Sequence, residues 1–544
     1  MRRTLKWGLG AAAILLVLLA GALVAVPFLV DMPRIQAYVA SAAAQALGRP
    51  VKFSGLSVRV LPLPAIEFRD LEVAEDPKFG TTPFLRLERG HIRLQLWPLL
   101  TGRVELGDIV LHKPAVTIVQ AADGRLNIAS LGGAAEPRPT GRTSRGSGGG
   151  SGAAGAALAT RIKIDGGQVT YAARGPGERI AQYRLEGLDL TLISGGPQIA
   201  FKGDARLQPG AVALKVSDGV VTLGPTRMLT DAPVRAKVAV DGKDIHELTA
   251  VAVGPSPEIG GAVKGTLAVA GTVAAPTAAG EVQLSNLTAT QSSPQCAEPR
   301  RRTLTIPTVA LNAAWQNPRF TGKPLTAKLA GGTITAQLTA TLDRGVQVQL
   351  DDLGVKALPL DKVLVDFLCE GYAVTGPLDL TGAVTFETRD IVNTLTGPGQ
   401  LHVGSGKVVG PKALALVGSV VRVGGALSGA LGSDPSAATL GGSPLEFESI
   451  VGTYTMTNGV VTTRDLLYTS RVMKVAVAGD YGLGTGAMNL DLVVNHKQGE
   501  LKAKVTGTAA APLVRVSTSS ILKSVDPDKA EKGLRDLLKR FNKK

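Results

Sequence analysis

The chain has 544 residues, 66 of them Gly and 32 Pro but only two Cys, and a formal net charge of +15. With 44% apolar and 19% charged residues it is neither a disordered chain nor, given two cysteines, a disulfide scaffold. Gly without a strict three-residue period excludes collagen, and basic residues gathered at the two ends argue against a nucleic-acid stripe along the body.

From the N-terminus, Arg2, Arg3 and Lys6 precede an uncharged run from Trp7 to Val30. As a helix this run reaches about 36 Å, enough for a hydrocarbon core of ~30 Å. The flanking charges place the N-terminus in the cytoplasm and the body outside it. A cleaved signal peptide with Ala20-Gly21-Ala22 as its site is the competing reading. The apolar run continues past that site through Leu23–Val30, so the expectation is an uncleaved single-pass anchor. Asp31 and Pro33 then open a short helix with the stripe Ile35, Tyr38, Val39, Ala42 and Ala46, and Gly48 stops it.

From Val51 the period changes to two. Residues 88–96, 212–216, 333–342 and 488–495 alternate aliphatic with polar side chains, the pattern of strands with one apolar face. Asp123-Gly124, Asp165-Gly166, Asp218-Gly219, Asp241-Gly242 and Asn458-Gly459 read as turns between strands. Residues 132–157, rich in Gly, Ser and Pro, read as a linker or long loop, and 291–302 as a loop folded over the β body. Gly271-Thr-Val-Ala-Ala-Pro276 and Gly507-Thr-Ala-Ala-Ala-Pro512 repeat one string, as do Gly376-Pro-Leu-Asp-Leu and Gly397-Pro-Gly-Gln-Leu.

The last segment returns to a helical period. Asp526 caps it, Pro527 fits its first turn, and Ala530, Leu534, Leu537, Leu538 and Phe541 form its stripe. Lys532, Arg535, Lys539 and Arg540 flank that stripe and are candidates for an anionic membrane surface. A capping helix that closes the last strands and keeps its lysines in water is the alternative.

The aliphatic faces are too numerous for one β-sandwich. A long sheet curled into a gutter would put them on its concave side, where each lipid CH₂ buried is worth roughly 0.8 kcal/mol. Leu214, Val216, Ile334, Leu338, Leu342, Met488, Leu490 and Leu492 are the candidate contacts for acyl chains. Faces packed on each other as a dry core fit the composition equally well.

No motif carries catalysis. His91, His112, His246, His402 and His496 show no metal-ligand spacing, and no Gly-x-Ser-x-Gly elbow exists. A phosphate loop at 399–408 fails because Val408 stands where Ser or Thr is needed. No catalytic residue, metal or cofactor is expected. Cys296 and Cys369 either pair in an oxidising compartment or stay free thiols.

The strings Ala46-Leu-Gly-Arg-Pro-Val51, Leu71-Glu-Val-Ala74, Leu96-Trp-Pro-Leu-Leu100, Ile109-Val-Leu-His-Lys-Pro114 and Asp123-Gly-Arg-Leu-Asn-Ile128 follow the anchor in order. Toward the C-terminus stand Leu395-Thr-Gly-Pro-Gly-Gln-Leu-His-Val403, Asn458-Gly-Val460, Val475-Ala-Val-Ala-Gly479 and Gly507-Thr-Ala-Ala-Ala-Pro512. With these the chain resembles the AsmA family of Gram-negative envelope proteins. The resemblance implies a mainly β fold: one transmembrane helix, then an elongated curled β-sheet groove similar to bridge-type lipid transfer proteins, with a short N-terminal and a C-terminal amphipathic helix. The expected divisions are 1–31 (anchor), 32–131 (N-terminal β module), 132–157 (linker or loop), 158–390 (middle groove), 391–520 (C-terminal β module) and 521–544 (amphipathic helix). The resemblance further implies an inner-membrane protein with a periplasmic body. It would bind and conduct phospholipids between the two membranes without chemistry, with an outer-membrane or periplasmic acceptor protein as a partner and no nucleic acid. The alternative is an assembly factor that acts on outer-membrane protein insertion or targeting through protein contacts.

Overall fold

The computed structural model describes residues 37, 40–41, 43–45 and 47–517, apart from 60–64, 95–105, 122, 132–160, 175–179, 225–229, 253, 255–256, 295, 343–344, 370–372, 410–445 and 497–498. The expected anchor, the Gly/Ser-rich segment and the C-terminal helix with Lys532, Arg535, Lys539 and Arg540 lie outside the described residues. Among the described residues no helix is long and apolar enough to cross a membrane.

The fold is mainly β, a large mixed sheet with few helices. The chain divides into a first unit, residues 1–242 with 266–278, and a second, residues 243–265 with 279–544.

The described residues between 37 and 47 are helical, as the apolar stripe predicts. Gly48, at φ 69°, ends this helix, and the Arg49 N–H bonds the Ala44 carbonyl at 3.2 Å. The first unit then builds β1 (Val51–Lys52), β2 (Gly55–Arg59), β3 (Ala65–Val73), β4 (Leu85–Leu94) and β5 (Leu106–Gln120). It continues with β6 (Arg161–Arg174), β7 (Ile180–Gly195), β8 (Gln198–Gln208), β9 (Val212–Thr222) and β10 (Val234–Gly242). Both β1 and β2 pair with β3, and from there each strand pairs antiparallel with the next, except at β5 and β6. Those two are parallel neighbours, Asp108 opposite Arg161 and Gln120 opposite Ala173. The Gly-rich segment therefore joins strands that lie side by side.

Strands β11 (Glu258–Gly271) and β12 (Pro276–Ser292) follow, with the helix α1 (His246–Ala252) ahead of them. The second unit continues with β13 (Arg301–Gln316), β14 (Arg319–Leu329), β15 (Gly332–Leu342), β16 (Val346–Pro359), β17 (Ala373–Val374), β18 (Pro377–Glu387) and the one-turn helix α2 (Ile391–Thr394). Next come β19 (Gly397–Val403), β20 (Gly406–Val409), β21 (Glu446–Phe447), β22 (Ser449–Thr457), β23 (Val460–Thr469), β24 (Met473–Gly482), β25 (Ala487–His496), β26 (Gly499–Thr508) and β27 (Ala511–Val516). From β13 to β27 the long strands pair antiparallel in chain order, while β17, β20 and β21 form a separate small sheet.

Three of the expected turns fall within strands: Asp165-Gly166 inside β6, Asp218-Gly219 inside β9 and Asp241-Gly242 at the end of β10. Gly166 (φ 63°) and Asp218 (φ 52°) take the left-handed backbone at β-bulges, where two residues face one across the ladder. The residue types that make a hairpin also make a bulge, and only the continuing strand tells them apart.

Carboxylates complete several bulges. Asp189 accepts the Gly166 N–H at 2.9 Å, Asp379 the Ala357 N–H at 2.8 Å, and Asp465 the Thr453 N–H at 2.8 Å. Each sits where the register slips, so each satisfies a donor that the ladder leaves unpaired. The repeated Gly-Thr string also has a structural meaning. Thr272 accepts the Ala275 N–H at 3.2 Å and Thr508 the Ala511 N–H at 3.3 Å, each just after a glycine with positive φ. One string builds the same tight turn in both places.

Candidate functional site

Cross-strand pairing decides which side chains share a face, because partners in register project to the same side. In the first unit one row reads Leu56, Phe68, Gly90, Leu111, Ile164, Leu190, Gly203, Val216 and Val238, one residue from each strand β2 to β10. In the second unit a row reads Leu378, Val403, Ile450, Tyr468, Val475, Val494 and Leu501, from β18 to β26. Neither row contains a charged or amide side chain. Each bulge re-aims the strand so that the apolar set stays on one side.

Aromatic rings on these faces lie across glycines of the neighbouring strand. Phe68 covers Gly90, Phe201 covers Gly219, and Tyr454 covers Gly399, each pair directly in register. A Cβ at any of the three glycines would collide with the ring. Burial pushes the phenols of Tyr171, Tyr183, Tyr454 and Tyr468 above their ordinary pKa of 10.0.

The candidate contacts fall on these faces. Leu214 pairs with Ala205 and Val240, and Val216 with Gly203 and Val238, in the first unit. Leu338 pairs with Gly322 and Leu350, and Leu342 with Val346. Met488 pairs with Tyr481 and Gly507, Leu490 with Gly479 and Val505, and Leu492 with Val477 and Ala503. Leu342 is 40% exposed, Leu214, Val216, Leu338, Leu490 and Leu492 are half-buried, and Met488 is buried under its cross-strand neighbours.

Ile334 has different surroundings. A π-helix, Asp361–Phe367, lies on the apolar face where β16 passes into β18. Its Val363 packs on a cluster around Leu329, Val355 and Leu358 that includes Ile334 and Leu380. Its Leu364 packs on Leu360, Val403 and Phe447 together with Leu401, Ile450 and Tyr468. Gln291 donates to the Phe367 carbonyl at 2.8 Å, and Cys369 is disulfide-bonded to Cys296 in the β12–β13 loop. One margin of the second unit's face is therefore a dry core, whereas Leu338, Leu490 and Leu492 lie outside it and are half-buried.

The first unit also holds a buried polar knot. Arg49 meets Glu75 at 3.0 Å, both almost wholly excluded from solvent. Asn127 is fully buried; it donates to Glu75 at 2.7 Å and to the Thr117 carbonyl at 2.8 Å, and accepts the Val119 N–H at 3.0 Å. Arg49 also donates to the Asn127 carbonyl and, at 2.8 Å, to Ser130, and lies 4.9 Å from the centre of the Phe84 ring. Every one of these partners is separated in sequence from Arg49 by more than twenty residues, so spacing alone gives no sign of the knot. The π-helical cover was missed for a similar reason, since seven residues carry no readable period. Among the described residues no group of three or more His, Cys, Asp or Glu could hold a metal ion.

The model of the AsmA family matches residues 1–294, more than half of the chain. The protein belongs to the AsmA family. In this AsmA-family chain Arg49 and Asn127 stand in two of the quoted strings, and Glu75 directly follows a third, so those strings mark a structural lock. The C-terminal strings lie beyond the matched range. No curated protein and no solved structure matches the AsmA-family chain.

Proposed function

We propose that this AsmA-family protein acts in envelope biogenesis by binding phospholipid acyl chains on its apolar sheet faces and conducting them between inner and outer membrane, rather than by transforming a substrate. The observation that carries this reading is the half-buried apolar row of the first unit, from Leu56 to Val238, which continues from strand to strand without a charged or amide side chain. Acyl chains match such a surface because they need contact area and no hydrogen bonds. Residues 7–30 would anchor the chain in the inner membrane with the body in the periplasm. The Cys296–Cys369 disulfide supports an oxidising compartment.

The test is native mass spectrometry with lipid extraction on the full chain purified from the cell envelope. More than one phospholipid per chain is the expected result. Lipid-free protein would overturn the reading and favour an assembly factor that works through protein contacts.

A further inference from the structure

The two margins of the second unit's apolar face are built differently. At one, Leu360–Cys369 leaves the sheet. The Leu360 N–H bonds the Gly376 carbonyl at 3.0 Å. The π-helix lies over the face, and Cys369 ties it to Cys296 in the loop that follows β12. Strands β13, β14, β15 and β16 separate the two loops along the ladder, so the disulfide closes a strap across those strand ends. Beneath it lie buried aliphatics of this unit's face, Leu329, Leu358 and Val403 among them.

The opposite margin carries no such strap among the described residues. Its turns are bonded to one another: the Leu342 N–H to the Pro318 carbonyl at 2.9 Å, Gly459 to Leu395 at 2.9 Å, and Leu483 to Gly459 at 2.8 Å. Leu342, Val392, Val460 and Leu483 stand exposed along it. The face next to this margin, with Trp315, Leu338, Phe386 and Met456, is only half-buried.

We propose that the Cys296–Cys369 strap makes the second unit one-sided: acyl chains enter from the margin of exposed turns and are excluded from the strapped margin. The inference rests on the phospholipid reading above. A chain lying in the open band contacts Phe386 and Met456, whereas Leu380 and Leu401 already pack in the clusters that Val363 and Leu364 of the π-helix help to close. Displacing those two π-helix residues would expose as much apolar surface as the lipid covers, so the strapped margin offers acyl chains no net gain.

The experiment places a photoreactive benzophenone side chain at Phe386, Met456, Leu380 or Leu401 of the full chain in cells, followed by analysis of crosslinked phospholipid. Strong crosslinks at Phe386 and Met456, with at least tenfold less at Leu380 and Leu401, are expected. Equal crosslinking on both sides would overturn one-sidedness while the lipid reading stands. No lipid at any of the four positions would overturn the lipid reading itself. Since a benzophenone under the strap can disturb folding, a second measurement leaves the core intact. With Trp7 and Trp97 replaced by Phe, Trp315 is the single fluorophore, and phospholipids brominated on their acyl chains should quench it. Unquenched Trp315 beside bound lipid would count against entry at this margin. In the Cys296→Ser/Cys369→Ser variant the Leu380 signal should rise toward that of Phe386; an unchanged signal would overturn the part assigned to the disulfide.

Discussion

Arg49 and Glu75 form an ion pair at 3.0 Å that water hardly reaches, and Asn127 completes it from the far side of the same carboxylate. The knot joins the end of the N-terminal helix, the loop after β3, the end of β5 and the 3₁₀ turn Asn127–Ser130. A buried pair contributes little net stability compared with an apolar pair of the same shape, but losing one partner strands the other.

Asn127→Ala takes the side-chain partner from Glu75 Oε2, the Thr117 carbonyl and the Val119 N–H, and Arg49→Met removes the cation that pairs with a buried carboxylate. Each should cost about 3 kcal/mol or more. Hydrogen exchange at residues 117–119 of the full chain is the readout. Unchanged protection there would show that the knot does not hold this end of the sheet.

Removing the disulfide should weaken the second unit selectively. A cross-link spanning 73 residues is worth about 4 kcal/mol on the chain-entropy model. The Cys296→Ser/Cys369→Ser variant should therefore unfold at lower denaturant, with faster exchange at residues 360–369 and unchanged exchange at 117–119. Equal loss in both regions would contradict this local assignment.

Asp465 gives the sheet an acid-sensitive point. The backbone N–H of Thr453 and then its hydroxyl donate to the carboxylate and hold its pKa below the ordinary 3.8. A carboxyl with a lowered folded-state pKa stabilises the fold above about pH 3.8 and loses that effect as pH falls through the lowered value. Asp465→Asn should lose stability at neutral pH and show a shallower decline on acidification. An acid titration followed by circular dichroism compares the two proteins.

Tyr171 and Tyr183 face each other across β6 and β7, and desolvation raises both phenols. Their neutral forms are favoured in the folded state, so this contribution is complete below pH 10 and is lost as pH rises through the raised values. Tyr183→Phe should extend tolerance to alkali, whereas Tyr171→Phe also gives up the 2.5 Å bond to Gln120. Phenolate absorbance and circular dichroism recorded together separate titration from unfolding.

Gly399→Ala places a methyl group in the Tyr454 ring. The ring must swing off the face, at about 1–3 kcal/mol. The raised Tyr454 phenol should then return toward 10.0, because its cause is burial. A phenol that stays raised would show that the ring keeps its cover.

The alternation in 88–96, 212–216, 333–342 and 488–495 was legible because a half-exposed strand writes its two faces into every second residue. Each of these segments lies in or overlaps a strand: β4, β9, β15 and β25. The face of Phe386 and Tyr454 was harder to read across the sheet, since the neighbouring strands β16 and β23 carry an extra residue, between Leu350 and Leu353 and between Thr463 and Leu466, which shifts the parity of their pattern. Ile334 follows the alternation as well as Leu338 does, yet it lies under the π-helix. Local pattern reports that a side chain is apolar; only tertiary structure says what covers it.

Chain-order pairing from β13 to β27 has a consequence for how this part of the molecule can change in size. In the ladder each strand pairs with its two neighbours alone, so a hairpin spliced in at the tip after Gly482, away from the disulfide strap, would bring two strands with their own partners and the same two-sided pattern. Length can then grow or shrink in steps of two strands, about 9–10 Å, without rebuilding what lies on either side. The parallel junction of β5 and β6 lacks this freedom, because any insertion there must also carry the chain back along the full length of a strand.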